Sequence, residues 1–372
     1  MIVNITLLKE GEPQQIGRSV SIFGCAQIAR IMRLKQVIKL ASLPVLAVIG
    51  SGTLCLPLGA QGDELMTSST SCQLTTADRQ WIEGALADWR FAEVHELKLE
   101  PTRLPVVVLF DDHCQYKSAA AATGDISWTG SFYQSTVLLP NGIRIPNWVV
   151  SFAAPVDGSS AAGFFVMSLP SVWRSHNIQS GLGLERLMNV VLLHEMSHAR
   201  QFYFANPIMD GLSARYHLGV EIGDDSIQDT FSKDPRYVKA YERERDLLYE
   251  AAAASTNHAA KKYARQALRE IRHRRQKWFT GGHAYWNTVD DLFLTMEGIG
   301  QWTAYAWLTD PNGPNLKSSF ALSEVRRKRN HWTQDEGLAL MLVIDRLVPE
   351  WQKLAFAPEP QLAESLLKAA AR

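Results

Sequence analysis

The sequence predicts an α+β chain, with a small mixed sheet in its N-terminal part and a predominantly helical C-terminal part. Three observations point there. Short runs of β-branched and aromatic residues crowd the stretch before Pro170: PVVVLF at 105–110, WVVSFAA at 148–154 and GFFVMSL at 163–169. Such runs, bounded by turn residues, read as strands. After Pro170, apolar residues recur at helical spacing over long segments free of breakers, as in LERLMNVVLLHEMSHARQFYFA at 184–205. The composition, 46% hydrophobic and 20% charged, is that of a folded globule and excludes a disordered chain.

Charge and cysteine content narrow the function classes. The chain has 372 residues, of which 38 are basic and 38 acidic. A nucleic-acid partner usually demands a basic excess, so none is expected. Four cysteines in so long a chain exclude a small disulfide-stapled scaffold. There is no phosphate-binding glycine loop and no CxxC pair.

The first element is an uncharged apolar stretch from Leu40 to Ala60, preceded by Arg33, Lys35 and Lys39. A basic region, an apolar run and a small-residue end make a secretory signal. It is placed at about 32–60, starting at Met32 and cleaved after Ala60, with 1–31 as an upstream extension. An uncleaved membrane anchor over 40–60 is the alternative, although Pro44 and Pro57 spoil it as a helix. The remainder, 61–372, is expected as one domain, or as two tightly packed lobes, 61–205 and 206–372. Export to an oxidising compartment would let Cys72 and Cys114 pair; two isolated thiols are the alternative.

Thr76 is read as the cap of a helix reaching about Val94, with Trp81, Ile82, Ala85, Leu86 and Trp89 on one face. The stretch 123–147 is rich in Gly, Ser, Asn and Pro and reads as strands and turns. Gly158, Ser159 and Ser160 form a turn between the next two strands. Beyond the long helix at 184–205, further helices are expected within 234–279, 289–308 and 335–355, with loops at 206–230 and 309–334. The basic run Arg326, Arg327, Lys328 and Arg329 is read as a solvated face.

Within the long helix stands His194-Glu195-Met196-Ser197-His198, an HExxH pattern. Residues four apart on a helix share a face, so two imidazoles can converge on one ion. Zinc takes such ligands at about 2.0–2.1 Å and lowers the pKa of a water it holds to about 7. Glu195, next to the first ligand, is placed to take the proton of that water. The flanks Val190 to Leu193 and Ala199 are apolar, and charged groups in such a helix need a compensating partner.

Over VLLHEMSHAR the chain resembles the zincin metallopeptidases. The resemblance implies a zincin-like α+β fold, one catalytic Zn2+ and a peptide or protein substrate. Arg200 departs from the apolar residue usual at that place. Position 204 is Phe and no His follows until His217, so the extended metzincin form does not fit. The gluzincin branch does, with a Glu on a later helix as third ligand. Glu297 is the first choice: it is a carboxylate in an apolar helix, followed by Gly298 and Gly300, and the pattern is similar to the third-ligand helix of aminopeptidase-like gluzincins. Small residues there would let the two helices approach closely. Glu242 is the rival, paired with Asp246 as in thermolysin-like enzymes, and Glu250 comes behind it.

Tyr285 and His283, with Tyr305 and His217 behind them, are candidate transition-state donors by residue type. Gly281 and Gly282 suggest a rim loop. The resemblance also implies an edge strand over the zinc that pairs with substrate, and 163–170 is the candidate, with an ordinary core strand as its alternative. The function expected is thus an exported zinc metallopeptidase with Glu195 as general base. A membrane association would follow only from an uncleaved signal. Two alternatives stand beside it: an exported zinc-binding protein without proteolytic activity, and a metal-free helical interaction protein in which HEMSH is accidental.

Overall fold

The computed structural model describes residues 71–119, 126–156, 162–218, 222–326 and 330–372. The signal segment and Arg327, Lys328 and Arg329 lie outside the described residues. The first helix, α1 (Thr76–Phe91), is capped by Thr75 rather than Thr76, its side chain accepting from the Asp78 N–H at 3.1 Å. A cap needs extended backbone just outside the helix, which Thr75 has. The helix buries Ile82, Ala85, Leu86 and Trp89, the stripe that the spacing predicts.

Among the described residues, seven strands follow: β1 (Val106–Phe110), β2 (Cys114–Ser118), β3 (Trp128–Phe132), β4 (Thr136–Leu138), β5 (Arg144–Pro146), β6 (Ser151–Pro155) and β7 (Gly163–Ser168). Five of them form one sheet in the order β3-β2-β1-β7-β6. β1 and β7 run parallel, with Val108 opposite Val166, and the other pairs are antiparallel. β4 and β5 make a separate hairpin with Val137 opposite Ile145. Alternate residues of β1 serve two cores. Val107 and Leu109 face the helices, while Val108 and Phe110 join Val137 and Ile145 of the hairpin. A strand covered on both faces has no polar side, which is why 105–110 and 163–168 read as unbroken apolar runs. β7 is therefore an interior strand. The expectation of an edge strand at 163–170 is corrected: β6 holds the edge.

The helices are α2 (Pro170–Ser175), α3 (Leu184–Tyr216), α4 (Ser226–Phe231), α5 (Pro235–Ala253), α6 (Asn257–Trp278), α7 (Trp286–Thr309), α8 (Ser318–Arg326), α9 (Trp332–Leu347), α10 (Trp351–Ala355) and α11 (Ala363–Ala370). The α+β reading holds as a small mixed sheet followed by helices. α3 runs through Pro207, so a lobe boundary at 205/206 falls inside one helix. A proline there costs about 3 kcal/mol locally. Continuing the helix lets Leu212, Ile208 and Met209 pack against the aromatic core of Tyr237, Tyr241, Phe279 and Phe293. The stretch 309–334, expected as loop, contains α8, which buries Ala321 and Val325.

Cys72 and Cys114 form a disulfide, with sulfurs 2.06 Å apart, tying the segment before α1 to β2. Arg200 tethers α3 to the same N-terminal part. It donates to the fully buried Glu93 and, at 2.7 Å, to Thr102 Oγ1, which accounts for a cation at this position. Among the described residues, no helix is long and apolar enough to cross a membrane.

Candidate metal centre

α3 carries a polar set in its buried stretch: His194, Glu195, Ser197, His198 and Gln201. Ser197 satisfies itself by donating to the Leu193 carbonyl at 2.9 Å. Gln201 donates its amide to the Met296 carbonyl (3.4 Å), so its oxygen faces His198 Nδ1 at 3.0 Å. An N–H at Nδ1 leaves the lone pair of His198 on Nε2. That atom lies 2.9 Å from His194 Nε2, and both face Glu297 of α7. His194 Nε2 is 3.1 Å from Glu297 Oε2, and His198 Nε2 is 3.3 Å from Oε1.

These three side chains form the one set of His, Cys, Asp and Glu among the described residues whose donor atoms lie within 4.8 Å of one another. They could hold a metal ion. Ligands about 2.0–2.2 Å from a tetrahedral ion stand about 3.3–3.6 Å from each other, slightly wider than the distances seen. Two further observations fit a metal. Glu297 is fully buried, and neither of its oxygens receives a well-formed hydrogen bond. The donor chemistry, two imidazoles and a carboxylate, is that of a borderline divalent cation. Burial pushes the His198 imidazole down to about 4, against the pull of Glu297, so the ring is neutral. Burial likewise pushes the Glu297 carboxyl up, with His198 opposing.

Glycines set the helix spacing. A Cβ at Gly300 would stand 2.7 Å from His194 Nδ1, so α7 meets the ligand ring itself. Gly298 faces the other way: its Cβ would be 2.6 Å from the Gly337 carbonyl of α9. α7 is thus clasped between α3 and α9, and Glu297 is aimed from that position. On α9, Gln334 accepts from Gln301 at 2.9 Å, which leaves its amide for Glu297.

Glu195 is fully buried and accepts from the Ala153 N–H of β6 at 3.1 Å. The edge strand and the helix of the histidines are therefore joined at this carboxylate. A second ring of polar groups had no motif to announce it. His331, just before α9, holds Asp225 Oδ1 at 3.3 Å through Nδ1, and its buried Nε2 has no hydrogen-bond partner among the described residues. Asp224 is pushed well above the ordinary range by burial, then by Asp225, Glu297 and Glu195. Only Gln201, three residues after His198, was open to a spacing argument.

The other expected site residues are outside this group of three side chains. Glu242 is exposed, as is Asp246, which pairs with Arg245 at 2.8 Å; Glu250 is exposed too. The buried stripe of α5 runs through Tyr237, Tyr241, Glu244 and Leu248, so position 242 turns to solvent. The rings that Tyr285 and His283 touch are Tyr216, Trp286 and Phe231. His217 ends α3 in left-handed backbone. Tyr305 is half-buried on α7. Comparison of the chain with protein-family models, curated proteins and solved structures returns no match.

Proposed function

We propose that this protein is an exported zinc-dependent metallopeptidase of the zincin type, gluzincin branch. The observation that carries this reading is the meeting of Glu297 with the Nε2 atoms of both HExxH histidines. His194, His198 and Glu297 would hold the ion. Bound there, zinc would supply Lewis acidity towards a peptide carbonyl and acidify a water. Glu195 is the general base, its carboxylate taking the proton of the attacking water. The Ala153 N–H keeps Glu195 on the side of β6. As the strand at this edge of the sheet, β6 is the one beside which an extended peptide would lie. His331, held by Asp225 through Nδ1, is the donor we assign to the oxyanion when its ring carries a second proton on Nε2, in place of Tyr285 and His283.

One observation favours a second reading. His194, the most exposed of the three ligands, is only 5% accessible, which suits a protein that keeps its metal without turnover. Against it, three protein ligands leave a coordination position open, whereas structural zinc usually has four. Metal analysis of the purified protein tests the site: one zinc per chain is expected in wild type and Glu242→Ala, and loss in Glu297→Ala. Wild type without stoichiometric metal overturns the proposal. Glu195→Gln should keep the metal and lose peptide hydrolysis; retained hydrolysis rejects the mechanism, and metal without hydrolysis in wild type selects the second reading.

A further inference from the structure

Behind the metal group, α5, α6, α7 and α9 meet around Arg274, which is 1% exposed. Its Nε donates to Glu244 of α5. Its other nitrogens donate to Tyr237 Oη at 2.7 Å and to both oxygens of Asp290 on α7, at 3.3 and 3.0 Å. Arg274 Nη2 also stands 4.0 Å from Glu336 Oε1 on α9. Arg275 donates to the same Asp290 at 2.8 Å. The side chains of Glu244, Glu336 and Asp290 are 0%, 3% and 4% exposed. Two guanidinium ions thus face three buried carboxyl groups, and a dry interior does not tolerate the odd negative charge.

The geometry says where the balancing proton sits. Glu244 Oε2 and Glu336 Oε1 are buried and have no hydrogen-bond partner among the described residues. The two carboxyl groups flank one guanidinium, Glu244 at Arg274 Nε and Glu336 Oε1 at 4.0 Å from Arg274 Nη2. Two buried carboxylate oxygens without a donor are costly when both groups are ionised, and a proton held on the pair removes one of the two charges. We propose that Glu244 and Glu336 share a single proton and that this acid pair is a pH latch holding α5 against α9. The device is independent of the peptidase reading, since it concerns the helical packing alone.

The surrounding charges agree. Burial drives Glu244 up to about 7 despite Arg274, and drives Glu336 well above the ordinary range with help from Glu244. Burial alone would raise Asp290 too, but Arg274 and Arg275 hold it low, so it remains their anion. Tyr237 and Tyr241 on α5 are pushed up by burial and stay neutral, and Asp224, at the wall of the same small cavity, is pushed up as well. The neighbour Asp335 is taken by Arg326 at 2.8 Å, and Arg275 is also held by Glu364 of α11 at 2.6 Å. Among the described residues, Arg274 is the one cation within 4.0 Å of either carboxyl of the pair.

The native pair holds its proton above 4.5, the ordinary value at which the unfolded chain gives it up, so its contribution is greatest in acid and is lost as pH rises through about 7. The test is the unfolding equilibrium constant of the full chain between about pH 5 and 7, in wild type and in Glu336→Gln, whose amide supplies the hydrogen permanently. One proton corresponds to a tenfold rise per pH unit. The wild-type slope should exceed that of the variant by about this factor, and equal slopes overturn the proposal. Should the variant not fold, the infrared carbonyl band of a neutral carboxylic acid in folded wild type at neutral pH decides: its absence overturns the proposal, and its presence, diminished in Glu244→Gln, supports it.

Discussion

Gly300 and His194 stand so close that any side chain at position 300 collides with the ring: a Cβ there would lie 2.7 Å from His194 Nδ1 and 2.9 Å from Cε1. The absence of a side chain on one helix thus decides where an imidazole on another can point. Alanine is the better helix former by about 1 kcal/mol, so a purely local view predicts that Gly300→Ala stabilises α7. The tertiary contact reverses this. Gly300→Ala should weaken metal binding at least tenfold by turning His194, while far-ultraviolet circular dichroism keeps its helical signal. A metal-competition titration reads the first quantity.

Gln201 orients His198 by accepting from Nδ1 while donating to the Met296 carbonyl. Replacing it by Leu removes the acceptor that fixes the ring. Partners of this kind typically contribute 10–100-fold to metal affinity. Gln201→Leu should lose about that factor, and unchanged affinity would show that the ring is held by packing alone.

The Cys72–Cys114 bridge closes a loop with a sequence separation of 42. Chain-entropy arguments give about 4 kcal/mol for a loop of that length. The Cys72→Ala/Cys114→Ala double variant should therefore unfold at markedly lower denaturant concentration. The candidate ligands are on α3 and α7, which the bridge does not join, so metal stoichiometry should remain that of wild type at low denaturant.

Glu93 is fully buried between Arg90 and Arg200. Arg200→Met leaves Arg90 as its only guanidinium. Breaking one arm of a buried pair is costly, and with Arg90 remaining the loss should reach up to about 3 kcal/mol. Chemical denaturation measures it. A neutral outcome would mean that packing of the methionine replaces the ion pair.

Glu96 is pushed up to about 7, first by burial and then by a hydrogen bond and repulsion from Asp310, with Asp345 adding to it. A raised carboxyl holds its proton in the native state after the unfolded chain has lost it. Its contribution to stability is complete below 4.5 and is lost as pH rises through about 7. Glu96→Gln should therefore raise the melting temperature above neutrality and change little in acid. An equal shift at both ends of the pH range would remove titration as the cause.

Much of the centre was legible from local rules. The HExxH spacing puts two imidazoles on one face of a helix whatever the rest of the chain does, and an isolated carboxylate in the apolar run around Glu297 signals a buried partner. Glu242 competed on the same local grounds, being a carboxylate on a helix with an acidic residue four positions on. What separates them is orientation: position 242 faces solvent and position 297 faces the histidines, a difference of helix rotation set by Gly298 against Gly337 and Gly300 against His194.

The sequence by itself determined the α+β order, the covered strands, the stripe of α1 and the histidine pair with its neighbouring Glu195, because these depend on periods of two and of 3.6 residues along one segment. Only the tertiary structure decided that β6 rather than β7 lies at the edge, that α3 continues through Pro207, that Glu297 meets both histidines, and that His331, Asp225 and Gln334 stand near it. Strand order, helix rotation and contacts between distant segments carry no period along the chain. They follow from which surfaces can be buried together, and that is settled when all the elements pack at once.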